Sequence, residues 1–234
     1  SSQSTDKADG GHSSNGSGTD NANGTGGVGG TDGADGDNQD TVTDNPLKIV
    51  ESGWSADQQG YVHYAFALRN TSTTQQVQYP QITITGRAKD GSIVFSQTQA
   101  LNMAFPNQTV YDAGQAGEGT APETVDFTVL NPDTYNVAKA QGTAAFPISG
   151  ISKIDNRDGG TTFNGEVHAV ADGFKPSDGQ QIKISLVLRN AQNAIIYGDI
   201  TFVDWPGNGR SAPFSITVYD LPKYASYDLY AQIG

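Results

Sequence analysis

His12, His63 and His168 are the three histidines of this chain, and histidine is the side chain that most readily trades a proton near neutral pH. A hydrolytic triad or a metal centre needs two or three different groups converging on one point. His12 lies in a stretch almost without apolar residues. His63 and His168 fall at matching places in two copies of an internal repeat, so each is expected to be a surface or half-buried strand histidine. Cysteine is absent, which removes disulfides, thiolate metal ligands and cysteine nucleophiles together. Glu51, Glu118, Glu123 and Glu166 could supply a carboxylate pair for glycoside hydrolysis, but nothing in their spacing makes them meet. Gly114-Gln-Ala-Gly117-Glu-Gly119 imitates a phosphate-binding glycine pattern without the amphipathic helix that should come after it, so it is read as a loop. No catalytic set, metal site or cofactor is expected, and an envelope hydrolase is the least favoured reading.

Aromatic residues give the better lead, because exposed rings stack on sugars and anchor protein interfaces. The candidates for ligand binding are Trp205, Trp54, Tyr224 and Tyr227. Trp205 is the first choice. It opens Trp205-Pro-Gly-Asn-Gly209, and a large ring at a glycine-rich turn is harder to bury than one in mid-strand. The competing reading makes each of these rings an ordinary core or rim residue of a β-sandwich.

The elements that must position them are set by an internal repeat. Ile82-Thr-Ile-Thr-Gly-Arg87-Ala-Lys-Asp-Gly-Ser-Ile93 returns 102 residues later as Ile184-Ser-Leu-Val-Leu-Arg189-Asn-Ala-Gln-Asn-Ala-Ile195. Both copies read as β-hairpins. Asp90-Gly91 suits a type I′ turn, and Gln192-Asn193 is its counterpart. Ile49 maps onto Ile151 and Val125-Asp-Phe127 onto Tyr227-Asp-Leu229 at the same offset. Val62-His63 maps onto Val167-His168 and Phe105-Pro106 onto Trp205-Pro206 at slightly different offsets, as loop insertions require. In Tyr61–Asn70 the residues Val62, Tyr64, Phe66 and Leu68 alternate with His63, Ala65, Ala67 and Arg69, which gives one large apolar face. Short strands with turn signals and no helical period predict an all-β protein with two tandem immunoglobulin-like antiparallel β-sandwiches. The expected boundaries are 46–135 and 148–234. A linker at 136–147 is expected to carry a short helix or helical turn, begun by Asn131-Pro-Asp133 and reaching about Lys139.

Residues 1–45 are a Gly/Ser/Asp-rich segment with too little apolar surface to offset ordering, and a disordered tether is expected there. More than half of the chain's net charge of −12 lies in its first 44 residues. An acidic chain without a basic stripe is a poor partner for nucleic acid. No apolar run approaches a membrane span. The cluster Asp32–Asp40 lacks the glycine and glutamate that an EF-hand loop requires. Asn15, Asn23, Asn70 and Asn107 head N-glycosylation patterns, which matter only in a eukaryotic secretory setting.

Asn70-Thr-Ser, Ile82-Thr-Ile84, Lys89-Asp-Gly91 and Pro106-Asn107 in the first copy, with Pro206-Gly207 and Ala212-Pro-Phe214 in the second, resemble the FxLYD-type and related immunoglobulin-like domains of bacterial surface lipoproteins. The Phe-x-Leu-Tyr-Asp string itself is missing. The hydrophilic start at Ser1-Ser-Gln-Ser is similar to a lipoprotein just after its lipidated cysteine. The resemblance implies an extracellular, surface-anchored binding, adhesion or spacer module that meets the membrane only through a lipid. Its partner would be a surface protein or glycan, and no catalytic residues come with it. A carbohydrate-binding accessory module is the main alternative. Because an apolar strand is read at Tyr227–Ile233, a chain cut after Ser226 is expected to lose solubility and cooperative melting; a monodisperse, cooperatively melting product would contradict that strand.

Overall fold

Val62, Tyr64, Phe66 and Leu68 lie two apart, so an extended backbone turns all four to one side, and that side is completely buried. The computed structural model describes residues 41–234. Most of the expected tether, with His12, the Asp32–Asp40 cluster, Asn15 and Asn23, lies outside the described residues. Residues 41–45 are pinned to the first sandwich. The Val42 N–H donates to the Pro132 carbonyl, Thr41 bridges to Asp133, and Asn45 Nδ2 donates to the Leu130 carbonyl.

The strands in the first half are β1 (Leu47–Ala56), β2 (Val62–Asn70), β3 (Gln75–Gln78), β4 (Gln81–Arg87), β5 (Ile93–Ala100), β6 (Met103–Ala104), β7 (Thr109–Ala116), β8 (Thr124–Val129) and β9 (Val137–Lys139). Those in the second are β10 (Thr143–Ala145), β11 (Ile148–Asp155), β12 (Thr161–His168), β13 (Val170–Asp172), β14 (Gln181–Arg189), β15 (Ile195–Asp204), β16 (Ser211–Val218) and β17 (Ser226–Ile233). The protein is all-β. Antiparallel sheet β1-β2-β7 packs on β5-β4-β8 around Tyr64, Phe66, Leu68, Ile82 and Ile84. Sheet β15-β14-β17 packs on β11-β12-β16 around Phe163, Ile184, Leu186, Leu188 and Phe214. Small sheets β6-β3-β9 and β10-β13 complete the two halves.

The hairpin repeat holds to the residue. Ile84 pairs with Gln97 and Phe127, and Leu186, 102 positions on, pairs with Asp199 and Leu229. Both ladders slip at the same place, opposite Ile93 and Ile195. The turn differs from the expected type I′. Only its last residue, Gly91 or Asn193, has positive φ, at 86° and 66°. Its N–H bonds back to the Ala88 or Asn190 carbonyl, so a right-handed turn is closed by one left-handed residue. Outside the hairpin the repeat is looser than the sequence matches imply. Ile148, not Ile151, takes the ladder place of Ile49, facing Val167 as Ile49 faces Leu68. The bulge at Ser149–Ser152, with Gly150 at φ 62°, absorbs the difference. His63 lies at the start of β2 and His168 at the end of β12, so they are not equivalent.

Two local expectations also change. The helix foreseen towards Lys139 shrinks to one 3-10 turn at Thr134–Asn136, because Asp133 makes no side-chain cap. Val137–Lys139 instead joins β3 as a strand. Gly114 and Gln115 belong to β7 rather than to a loop. Asn70 is fully buried, with Nδ2 donating to the carbonyls of Gln75, Ala104 and Phe105. That amide is thereby committed inside the fold.

The second face of β2 is also covered. Ala65 and Ala113 turn away from the first core and meet Val187 and Ile195 from the other half, and Ala67, two residues along β2, is buried too. Sheets normally stack about 10 Å apart; small residues permit a closer approach here. A Cβ built on Gly198 would stand 2.5 Å from the Tyr64 carbonyl oxygen and 2.6 Å from the Ala113 Cβ. One on Gly53 would overlap the Ile195 carbonyl. Gly198→Val should therefore cost about 1–3 kcal/mol or more, a fall of several degrees in Tm by calorimetry. An unchanged Tm would mean that the sheets do not approach at that point.

Candidate functional site

The four aromatic candidates do not share a site. Trp54 on β1 faces Tyr64 across the ladder and lies half-buried against the first core. Trp205 comes directly after β15, half-buried, with its indole edge-on to Phe146 at 5.6 Å and tilted towards Phe174 at 6.3 Å. Tyr227 on β17 sits edge-on to Phe163 at 4.8 Å. Tyr224 packs against the same second core and receives Lys153 Nζ at its hydroxyl, 3.3 Å away. Gly207 and Gly209 both take positive φ in the turn that comes after Trp205, and the indole ring folds onto Phe146 rather than standing free.

One constellation gives no signal in the sequence. Asp57, after β1, and His63, on β2, meet with His63 Nε2 at 2.8 Å from Asp57 Oδ2. The imidazole stacks on Tyr197 of β15 at 5.0 Å. Ser55 faces His63 in the β1–β2 ladder. Ser55, Asp57, His63, Tyr197 and Asp220 all line one groove of about 240 Å³. The hydrogen bond from His63 holds the Asp57 carboxyl below its ordinary pKa, whereas burial raises that of Asp199 nearby. Serine, histidine and aspartate thus share a groove, yet the hydrogen bond of His63 runs to Asp57 and not to Ser55. His168 is far along another strand, paired with Ser211 Oγ at 2.9 Å. The glutamates also stay apart: Glu51 is engaged by Arg189, while Glu118, Glu123 and Glu166 are exposed. Among the described residues, no cluster of three or more acidic or histidine side chains could hold a metal ion.

Charged groups line the contact between the halves. Arg189, on β14, binds Glu51 of β1 through both terminal nitrogens and Asp228 of β17 through Nε at 2.8 Å. Tyr111 and Tyr230 stack at 3.7 Å beside it, and the Tyr111 hydroxyl donates to Glu51. Deeper in, Asp112 is completely buried and accepts from Lys183 Nζ at 2.8 Å and Gln99 Nε2 at 2.7 Å. Burial drives the Asp112 pKa up, against the pull of Lys183.

The remaining feature is an exposed ring. Tyr79 stands at the corner between β3 and β4 with φ 53°. A bulky residue there is a backbone outlier, and the position before a proline is restricted further. Its N–H donates to the Asn102 carbonyl at 2.9 Å, which pins the corner. Tyr79 is 50% exposed and lines two adjoining hollows. One, of about 570 Å³, continues past Gln81 to Asn131, Asp133 and Asn136. The other, of about 300 Å³, continues past Asn102 to Lys183, Phe202 and Gln232. A search of known protein families and a search of curated proteins both returned no match for this chain.

These contacts set the outcome of two substitutions. Trp205→Ala should remove packing from Phe146 and Phe174 and lower Tm by several degrees, since the ring is part of the second core; a Tm within a degree of the parent would detach it from that core. The hydrogen bonds from Arg189 hold the Glu51 pKa below its ordinary value. Its contribution is therefore fully present above the unfolded range of about 4.3 and lost as pH falls through the lower folded value. Glu51→Gln should cost about 2 kcal/mol at pH 7, and the gap from the parent should close in acid. A gap that stays constant from pH 7 to pH 2 would contradict the ionic role of Glu51.

Proposed function

We propose that this chain is a non-enzymatic binding module of a bacterial cell-surface lipoprotein, in which two immunoglobulin-like sandwiches form one block carried on the N-terminal tether. The supporting observation is the contact between the halves: small residues at Ala65, Ala113 and Gly198 are ringed by Glu51–Arg189–Asp228 and Asp112–Lys183. Such a contact fixes the orientation of the two halves. Fixed orientation suits adhesion, spacing or display of a surface better than it suits a hinge. The acidic composition disfavours nucleic acid as a partner, which leaves a surface protein or a glycan. The FxLYD-type resemblance of the turns and the Gly/Ser/Asp-rich composition of the first 40 residues support attachment outside the cell through a lipid.

A carbohydrate-binding role is favoured by one further observation. Of the four exposed aromatic side chains among the described residues, Tyr79, Tyr135, Phe202 and Tyr219, two line the hollows and Tyr135 stands between two groove residues, Asp133 and Asn136. Surface display is tested by labelling intact cells of the producing bacterium with antibodies raised against residues 46–234. Labelling before lysis, lost after mild protease shaving, is expected. Antigen found only after lysis would contradict the surface reading.

A further inference from the structure

We infer that the paired hollows around Tyr79 form a binding site for a neutral glycan chain, with Tyr79 and Phe202 as the stacking platforms. The assignment rests on the reading of the chain as a binding module and names the site and ligand class. Tyr79 keeps an unfavourable backbone conformation while its ring is half in solvent. The bond from its N–H to the Asn102 carbonyl holds the corner, and strain retained at a half-exposed ring is typical of a ligand platform. Phe202, 44% exposed, lines the second hollow, and Tyr135, 80% exposed, flanks the first. Apolar ring faces in this setting fit the C–H faces of pyranoses.

The polar lining supplies what sugar hydroxyls need. Gln81 and Asn102 bring side-chain amides to the two hollows. Gln232, only 2% exposed, lines the second hollow and donates through Nε2 to the Tyr111 carbonyl. Its Oε1 is the buried side-chain acceptor left without a partner among the described residues. A buried amide oxygen without a donor is costly, and this one lies beside the second hollow, whose lining includes Gln232. The charged side chains lining the hollows are committed: Lys183 to Asp112, and Asp133 to the Tyr135 hydroxyl. With no uncommitted cation there among the described residues, the site favours neutral sugars over uronic or sialic acids.

The test uses the full chain and isothermal titration with N-acetyllactosamine oligomers and mannan as neutral probes of host and microbial type, and polygalacturonate as the acidic probe. Binding to at least one neutral probe is expected. Tyr79→Gly and Phe202→Ala should each weaken it about tenfold or more, whereas Tyr219→Ala, at the exposed aromatic outside the hollows, should leave it unchanged. Because glycine tolerates positive φ, Tyr79→Gly should not lower Tm, which separates lost binding from lost folding. No binding to either neutral probe, binding that survives both groove substitutions, or binding confined to polygalacturonate would each overturn the assignment. A negative titration with unchanged melting would remove the glycan ligand and leave the block architecture standing.

Discussion

The structure depends on how closely sheet β1-β2-β7 approaches sheet β15-β14-β17. Each has its own core on the far side, so β2 and β14 are buried on both faces. A strand buried on both faces can carry on its second face only small residues or polar ones with partners inside, as Lys183, Ser185 and Arg189 on β14 have. β2 meets that demand with alanines at 65 and 67 opposite Tyr64, Phe66 and Leu68, and β15 meets it with Gly198. The desolvated backbone is already satisfied by the ladders, so dispersion between small side chains and the Arg189 and Lys183 pairs can hold the halves together. Arg189, Lys183 and Asp112 are largely buried and hydrogen-bonded on several sides, whereas Glu51 and Asp228 are partly exposed. Breaking one partner would leave the other charge uncompensated, so they fix orientation more than they add stability.

The repeat shows how one sheet was adapted to be covered and its copy to face water. The ion pair Arg87–Asp126 on β4 and β8 returns 102 residues later as Arg189–Asp228. In the first copy both partners are exposed; in the second the arginine is buried and recruits Glu51, while Asp228 stays partly exposed. Thr85, Ser96 and Thr98 on the open face become Val187, Gly198 and Ile200 at the contact. Cross-strand pairs Thr83–Thr98 and Thr85–Ser96 line the outer face of the first half, and Thr162–Thr217 lines that of the second. Sheet faces of that chemistry are content in water and need no covering sheet.

Much of this architecture is legible in the residues themselves. Period-two alternation locates β2, β4, β8, β14 and β17, and the hairpin offset gives the pairing register of both halves. The contact between the halves is not legible, because alanines on a strand look the same whether they face water or another sheet. The turn type depends on which single residue goes left-handed, and Asp90-Gly91 is compatible with more than one answer. Trp205 stands out in the sequence because of its glycine neighbours, yet its ring packs inward on Phe146, a contact between residues 59 positions apart. Tyr79 carries no signal of its own. Its exposure is set by the corner between β3 and β4 and the bond from its N–H to Asn102, a contact made only in three dimensions.

The most direct test of the two-sandwich block is differential scanning calorimetry of the full chain at pH 7. Interlocked sheets predict one transition in which the van't Hoff and calorimetric enthalpies agree. Two transitions, or a calorimetric enthalpy near twice the van't Hoff value, would show that the sandwiches melt independently and that the contact between them does not govern the structure.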